Sequence, residues 1–357
     1  MNTKIFLTSI ALSAAFAAGA APLTPAQALQ RAKAGGRLNV PARISAVAEP
    51  VYISETPSGV SSAYVFNSPG GGYAILSADD VAFPVLGYSD TGSVDAENIS
   101  PELKWWLGEY GRQIEWAIEN NARQAVGAPS VPEEWTAIAP LMKTKWDQDA
   151  PYNNDCPQLN GVRCYTGCVA TSMAQVMNYH KYPEAGDGMI RYRPDGFSKD
   201  LLLNLSAFKI DWDNMLDVYS AGEYNDAQAS AVSYLMKACG YSVAMNYGTS
   251  ASGAVGSVIA PALRNYFDYD VNCRDYQRVI YSSSEWTKMV YDNLKDVGPV
   301  VINGQSPSQG GHSFVCDGYD GKGYFHINWG WSGMSDGYYA LDALNPDAQG
   351  IGGYAGG

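Results

Sequence analysis

The chain contains six cysteines and only three histidines, so thiol–imidazole chemistry has few possible pairings. In Tyr165-Thr166-Gly167-Cys168-Val169-Ala170-Thr171 a cysteine directly follows a glycine, at the first turn of an amphipathic helix expected over 169–179. Unpaired N–H groups and the positive end of a helix dipole favour a thiolate there. They draw its pKa down from about 8.5, most strongly beside an imidazolium. Gly167 is expected to leave room for a substrate backbone. The same position also suits a small core residue, so the motif alone does not choose between nucleophile and packing.

The partner is narrowed by elimination. His180 ends the helix that Cys168 begins, too many turns away to take its proton. His312 sits in Gly310-Gly311-His312-Ser313-Phe314-Val315, a strand whose entry carries no side chains, which lets the ring face a cleft; it is the expected base. His326, in Tyr324-Phe325-His326-Ile327-Asn328-Trp329, reads as a structural strand residue. An adjacent hairpin strand would bring Asn328 or Trp329 against the His312 ring, to orient it. Gln148, ahead of Cys168, is the expected side-chain donor to an oxyanion, with the Cys168 backbone N–H as the second. His312 lies 144 residues beyond Cys168, within the roughly 130 to 150 of papain-type enzymes.

These residues need a scaffold, and the chain divides into recognisable blocks. Lys4, the apolar run Ile5 to Phe16 and Ala18-Gly19-Ala20 form a signal-peptide pattern over 1–20, so export to the outside or the cell surface is expected. A short helix over 24–33 precedes strand-like runs at 51–53, 63–66, 72–76 and 84–88, separated by Gly, Pro, Ser and Asp. Leu103, Trp106, Leu107, Tyr110, Ile114, Ala117 and Ile118 recur at helical spacing in 101–122, and their stripe reads as core packing. Val126 to Pro132 is small, Pro-punctuated and expected to be protease-accessible. Helices at 169–179, 227–239 and 284–296, then strands at 299–303, 312–319, 323–329 and 337–341, predict an α+β domain.

Composition excludes some partners. With Lys plus Arg 23 against Asp plus Glu 36, the net charge is −13 and no basic run interrupts it, so nucleic acid is not expected. No apolar run reaches the roughly 20 residues of a transmembrane helix. Neither a metal nor any other cofactor is called for by the motifs. Cys156 and Cys164 are close enough in sequence to pair, whereas Cys239, Cys273 and Cys316 sit among apolar residues as expected buried thiols.

Three motifs together carry a resemblance. Gly167-Cys168-Val169-Ala170-Thr171, Gly311-His312-Ser313-Phe314-Val315 and Asn328-Trp329-Gly330-Trp331-Ser332-Gly333 resemble the streptopain-like cysteine peptidases. Ser77-Ala78-Asp79-Asp80 with Pro84-Val85-Leu86-Gly87-Tyr88 resembles their inhibitory propeptide. The resemblance implies a secreted endopeptidase made as a zymogen, with a papain-like domain (a helical part plus an antiparallel sheet) over 128–357 and an α+β inhibitory prodomain over 21–127. Protein or peptide substrates are implied, with the prodomain as an intramolecular inhibitor. It further implies that a tryptophan such as Trp329 takes the orienting role beside Asn328. Tyr247, Gly248, Gly310, Gly311 and Trp331 would line substrate subsites, favouring an apolar residue second before the scissile bond. The Gly-rich end, 350–357, is expected to stop short of the family's terminal strand. Another Cys-His hydrolase, a transglutaminase or a non-catalytic adhesin is the competing expectation.

Overall fold

Short runs of β-branched and aromatic residues closed by Gly, Pro or Ser form the N-terminal strands of the computed structural model, which describes residues 21–35, 38–122, 125, 127, 129, 131–306 and 310–344. The expected signal segment and the Gly-rich end lie outside the described residues, as does part of the 126–132 linker. Helix α1 (Pro25–Ala34) starts at a capping box of Thr24 and Gln27, and α2 (Asn39–Arg43) follows. Strands β1 (Tyr52–Glu55), β2 (Ser61–Asn67), β3 (Tyr73–Ser77) and β4 (Val85–Ser89) then form an antiparallel meander. Helix α3 (Pro101–Glu119) is begun by the Ser100 side chain, which accepts from the Leu103 N–H, with Pro101 at the first helical position.

The C-terminal half opens with the hairpin β5 (Gln158–Leu159) and β6 (Val162–Arg163), then α4 (Cys168–His180), the hairpin β7 (Met189–Tyr192) and β8 (Leu201–Asn204), α5 (Asp226–Ser242), α6 (Ile259–Tyr266) and α7 (Ser283–Asp296). Strands β9 (Val300–Ser306), β10 (Gly310–Tyr319), β11 (Phe325–Asn328) and β12 (Gly337–Tyr339) close the fold. The helices and strands expected from the sequence are present to within a few residues; α2, α6 and the two small hairpins were not expected.

The two halves share one sheet. Its order is β1-β2-β3-β4-β12-β11-β10-β9, joined where Tyr338 pairs with Tyr88 and Tyr339 with Gly87. One face of the N-terminal strands packs Tyr64, Phe66 and Leu76 against Ala28, Leu29 and Val40 of α1 and α2. The other face is covered by α3 and is continuous with the C-terminal half: Val65, Trp106 and Tyr110 share a core with Phe314, Ile327, Trp329 and Tyr339. The N-terminal block therefore does not keep its core to itself. A separate core, built on Met173, Leu235, Met236 and Phe267, fills the helical lobe. No helix of the described residues is long and apolar enough to cross a membrane.

Candidate active site

Cys168 is the first residue of α4, directly after Gly167 at φ +85°. A Cβ at Gly167 would stand 2.7 Å from the Met245 thioether and 2.9 Å from the Ser252 carbonyl oxygen. Glycine is thus required by the positive φ and by the close loop 245–252, not by room for a substrate as the sequence suggested. The Thr166 N–H donates to the Gln148 carbonyl (3.0 Å), which brings Gln148 beside the approach to α4. Gln148 is buried, and the Cys168 side chain is half-buried.

Burial pushes the Cys168 thiol up to about 11, and the Glu102 carboxylate adds to the rise; backbone hydrogen bonds from Ser313 and from the start of α4 pull the other way. A helix N-terminus alone would lower the value. Tertiary cover overrides it here, since desolvation of the anion outweighs the dipole.

The cover comes from α3. Glu102, in its first turn, is 1% exposed, and its Oε1 lies 3.4 Å from His312 Nδ1. One ligand atom from each of Glu102, Cys168 and His312 lies within 4.8 Å of the others. His312 sits on β10 opposite Gly304 of β9. The Trp105 ring is 6.1 Å from the His312 ring, and a Cβ at Gly304 would fall 1.9 Å from it. Gly304 leaves the hollow that Trp105 fills. The neighbouring Trp106 packs edge-on against Trp329 (5.8 Å) and Phe314 (5.3 Å).

The remaining expected residues separate. Asn328 is committed: its amide donates to the Thr144 carbonyl (2.7 Å), and its Oδ1 accepts from Gln175 (3.2 Å) and the Gly330 N–H (3.0 Å). Trp329 is fully buried, its indole donating to the Ser335 carbonyl at 2.9 Å. Trp331 packs beside the shared core, and Gly310 and Gly311 are exposed at the start of β10. The Gly248 carbonyl accepts from the Tyr165 N–H (3.1 Å), near Cys168. Tyr247 corrects the expectation: its ring is 2% exposed and stands 6.0 Å from that of Tyr241 inside the helical core, so its side chain lines no cleft.

His326 has the structural surroundings expected of it. Its Nδ1 is 2.6 Å from Asp317 Oδ1, whose hydrogen bond raises its pKa against the effect of burial. His180, at the far end of α4, is exposed. Cys156, Cys164, Cys239 and Cys316 are free, buried thiols, and Cys273 is free and half-buried.

Sequence reasoning missed Glu102, Trp105 and Gly304. The apolar stripe of α3 was visible, but its extension to an adjacent Trp pair and a buried acid one turn before them was the unread signal.

Two family models match parts of the chain. Residues 146–339 match the model of the peptidase C10 family, and residues 20–114 that of the Spi protease inhibitor. Streptopain of Streptococcus pyogenes is 36% identical over 83% of this chain and 78% of its own length. The thiol protease/hemagglutinin PrtT of Porphyromonas gingivalis is 33% identical over 82% of this chain and 35% of its own. The solved prointerpain A fragment of Prevotella intermedia superposes with a TM-score of 0.72 at 36% identity, covering 84% of this chain and 92% of that one. Active interpain A superposes with a TM-score of 0.55 at 36% identity, covering 62% and 94%.

Proposed function

Since the chain belongs to the peptidase C10 family of cysteine peptidases and carries an inhibitor-like N-terminal domain, we propose that Cys168 is its nucleophile and His312 its general base and acid. The observation that carries the proposal is the meeting of these two side chains, from the start of α4 and from β10, with ligand atoms within 4.8 Å. In the active enzyme the Cys168 proton passes to His312 and the thiolate attacks the peptide carbonyl. The Cys168 N–H and the Gln148 amide hold the oxyanion. The imidazolium then protonates the leaving amine as the acyl thioester forms, and the neutral imidazole activates the water that releases the acyl group. Commitment of the Asn328 amide to Thr144 and Gln175 favours Trp329 as the residue that walls and positions the His312 side.

On this reading residues 21–127 are the inhibitory prodomain, 128–357 the catalytic domain, and 1–20 a signal that directs export. Latency is supported by two features of α3, Glu102 beside both reactive groups and Trp105 beside the His312–Gly304 rung, and by the burial that raises the Cys168 thiol. Substrates are proteins or peptides, with an apolar residue preferred second before the scissile bond.

The test is casein digestion and labelling by an epoxysuccinyl inhibitor, before and after cleavage between about Asn120 and Glu134. Labelling at Cys168 and hydrolysis should appear together with loss of the N-terminal fragment. Full activity of an uncut chain would remove the zymogen reading. Transfer of amines to casein without hydrolysis would replace peptidase by transglutaminase.

A further inference from the structure

Glu102, Cys168 and His312 offer a carboxylate oxygen, a sulfur and an imidazole nitrogen, the three ligand types that Zn²⁺ takes in proteins. They come from α3, α4 and β10, and their ligand atoms already lie within 4.8 Å of one another. Ligands about 2.0 to 2.3 Å from a tetrahedral ion stand roughly 3.5 Å apart, so closure asks for small side-chain movements only. Two buried polar atoms of these residues lack hydrogen-bond partners: Glu102 Oε2 and His312 Nδ1. The 3.4 Å approach of Glu102 Oε1 to that nitrogen does not satisfy it as a hydrogen bond.

We propose that the latent chain binds one soft divalent cation, Zn²⁺ by its ligand chemistry, between Glu102, Cys168 and His312. The proposal rests on the latent-peptidase reading of the same residues. On binding, the Cys168 thiol gives its proton to solvent and the sulfur coordinates as thiolate. Carboxylate and thiolate neutralise the dication, the neutral imidazole is the third ligand, and a water takes the fourth position. A carboxyl oxygen and an imidazole nitrogen, both buried and unpartnered, are satisfied by one ion. Both groups needed for hydrolysis are then occupied, and α3 is tied to the two elements it covers. The processed enzyme lacks Glu102 and keeps two ligands of the three, so it binds the ion more weakly.

The experiment uses the unprocessed full chain, stripped with chelator and titrated with Co²⁺ alone while thiolate-to-cobalt charge-transfer absorption is recorded; Zn²⁺ alone is titrated by calorimetry. One ion per chain is expected. The sulfur band should vanish in Cys168→Ser, and affinity should fall at least tenfold in Glu102→Gln, checked for native near-ultraviolet circular dichroism. The processed enzyme makes the same comparison without any substitution and should also bind at least tenfold more weakly. No sulfur-ligated ion in the full chain would overturn the proposal, as would equal affinity of the full chain and the processed enzyme. Casein digestion by chelator-treated processed enzyme is read separately. Digestion without cobalt binding removes only the metal site, whereas absence of digestion removes the peptidase reading whatever the metal does.

Discussion

The two large cores of this molecule differ in who supplies them. Around Met173, Leu235 and Phe267, every buried residue comes from 146–267, so the lobe that seats Cys168 is packed without the N-terminal block. Around Trp106, Phe314 and Trp329, residues 63–125 and 290–344 interleave, so the strand that seats His312 shares its packing with that block. The nucleophile's support is self-contained and the base's support is held in common. On the proposed zymogen reading, inhibition acts largely from the histidine side: α3 sets Trp105 against His312 and Gly304 and brings the Glu102 carboxyl to the Cys168–His312 pair.

The most severe test of that asymmetry is Cys168→Ala. It should abolish hydrolysis and leave an unprocessed chain with an unchanged helical lobe, measured by casein assay and by gel. A variant that still processes itself would mean that another group is the nucleophile. His312→Ala should cost about three decades of rate or more, as for loss of a nucleophile's partner. His326→Ala, in folded samples, should leave the chemical step nearly intact and lower Tm, because its imidazole is bound to Asp317. Equal losses of rate would erase the distinction between the two histidines.

Trp106→Ala sharpens the comparison by attacking only the shared core. Truncating this buried indole should destabilise by about 3 to 5 kcal/mol. In a Cys168→Ala background, hydrogen exchange should quicken at β4 and β12 and stay unchanged in α5. Exchange that rises equally in both lobes would show that they unfold as one.

The smallest effect is a pH dependence confined to the sheet. Burial raises Asp336 from its ordinary 3.8 to about 7, and Asp317 raises His326 above 6.5. Both groups hold protons more tightly folded than unfolded. Their contribution is present below the unfolded values and is lost as pH rises, from about pH 4 to 7 for Asp336 and from about pH 6.5 upwards for His326. Tm of the Cys168→Ala chain should therefore fall across this range, and Asp336→Asn should flatten the lower part. An unchanged slope in that variant would place the titration elsewhere.

What was readable in the sequence was what is decided locally. Capping residues and apolar spacing placed α1, α3, α4, α5 and α7, and Gly- or Pro-bounded β-branched runs placed the strands of the main sheet. The Cys168 and His312 motifs were legible because few residue combinations do their chemistry. Glu102 was not, because an acid in a helix's first turn ordinarily serves the dipole and faces water; its partner is far along the chain. Gly304 acquires meaning only against Trp105, and the raised Cys168 thiol only once α3 lies over it. The short hairpins β5–β6 and β7–β8 have too few residues for a period to show.

The two-residue pairing between β4 and β12 has a consequence for the proposed release of the N-terminal domain. If the N-terminal domain departs, β12, three residues long, becomes an edge strand, and the Ala340 N–H that donates to the Leu86 carbonyl (2.9 Å) loses its partner. The detached domain still carries the matching β4 and the Trp pair of α3. On the proposed zymogen reading, such a fragment would compete by mass action for the surface it had left, so activation in a concentrated mixture would proceed to a balance, and dilution or destruction of the fragment would drive it to completion.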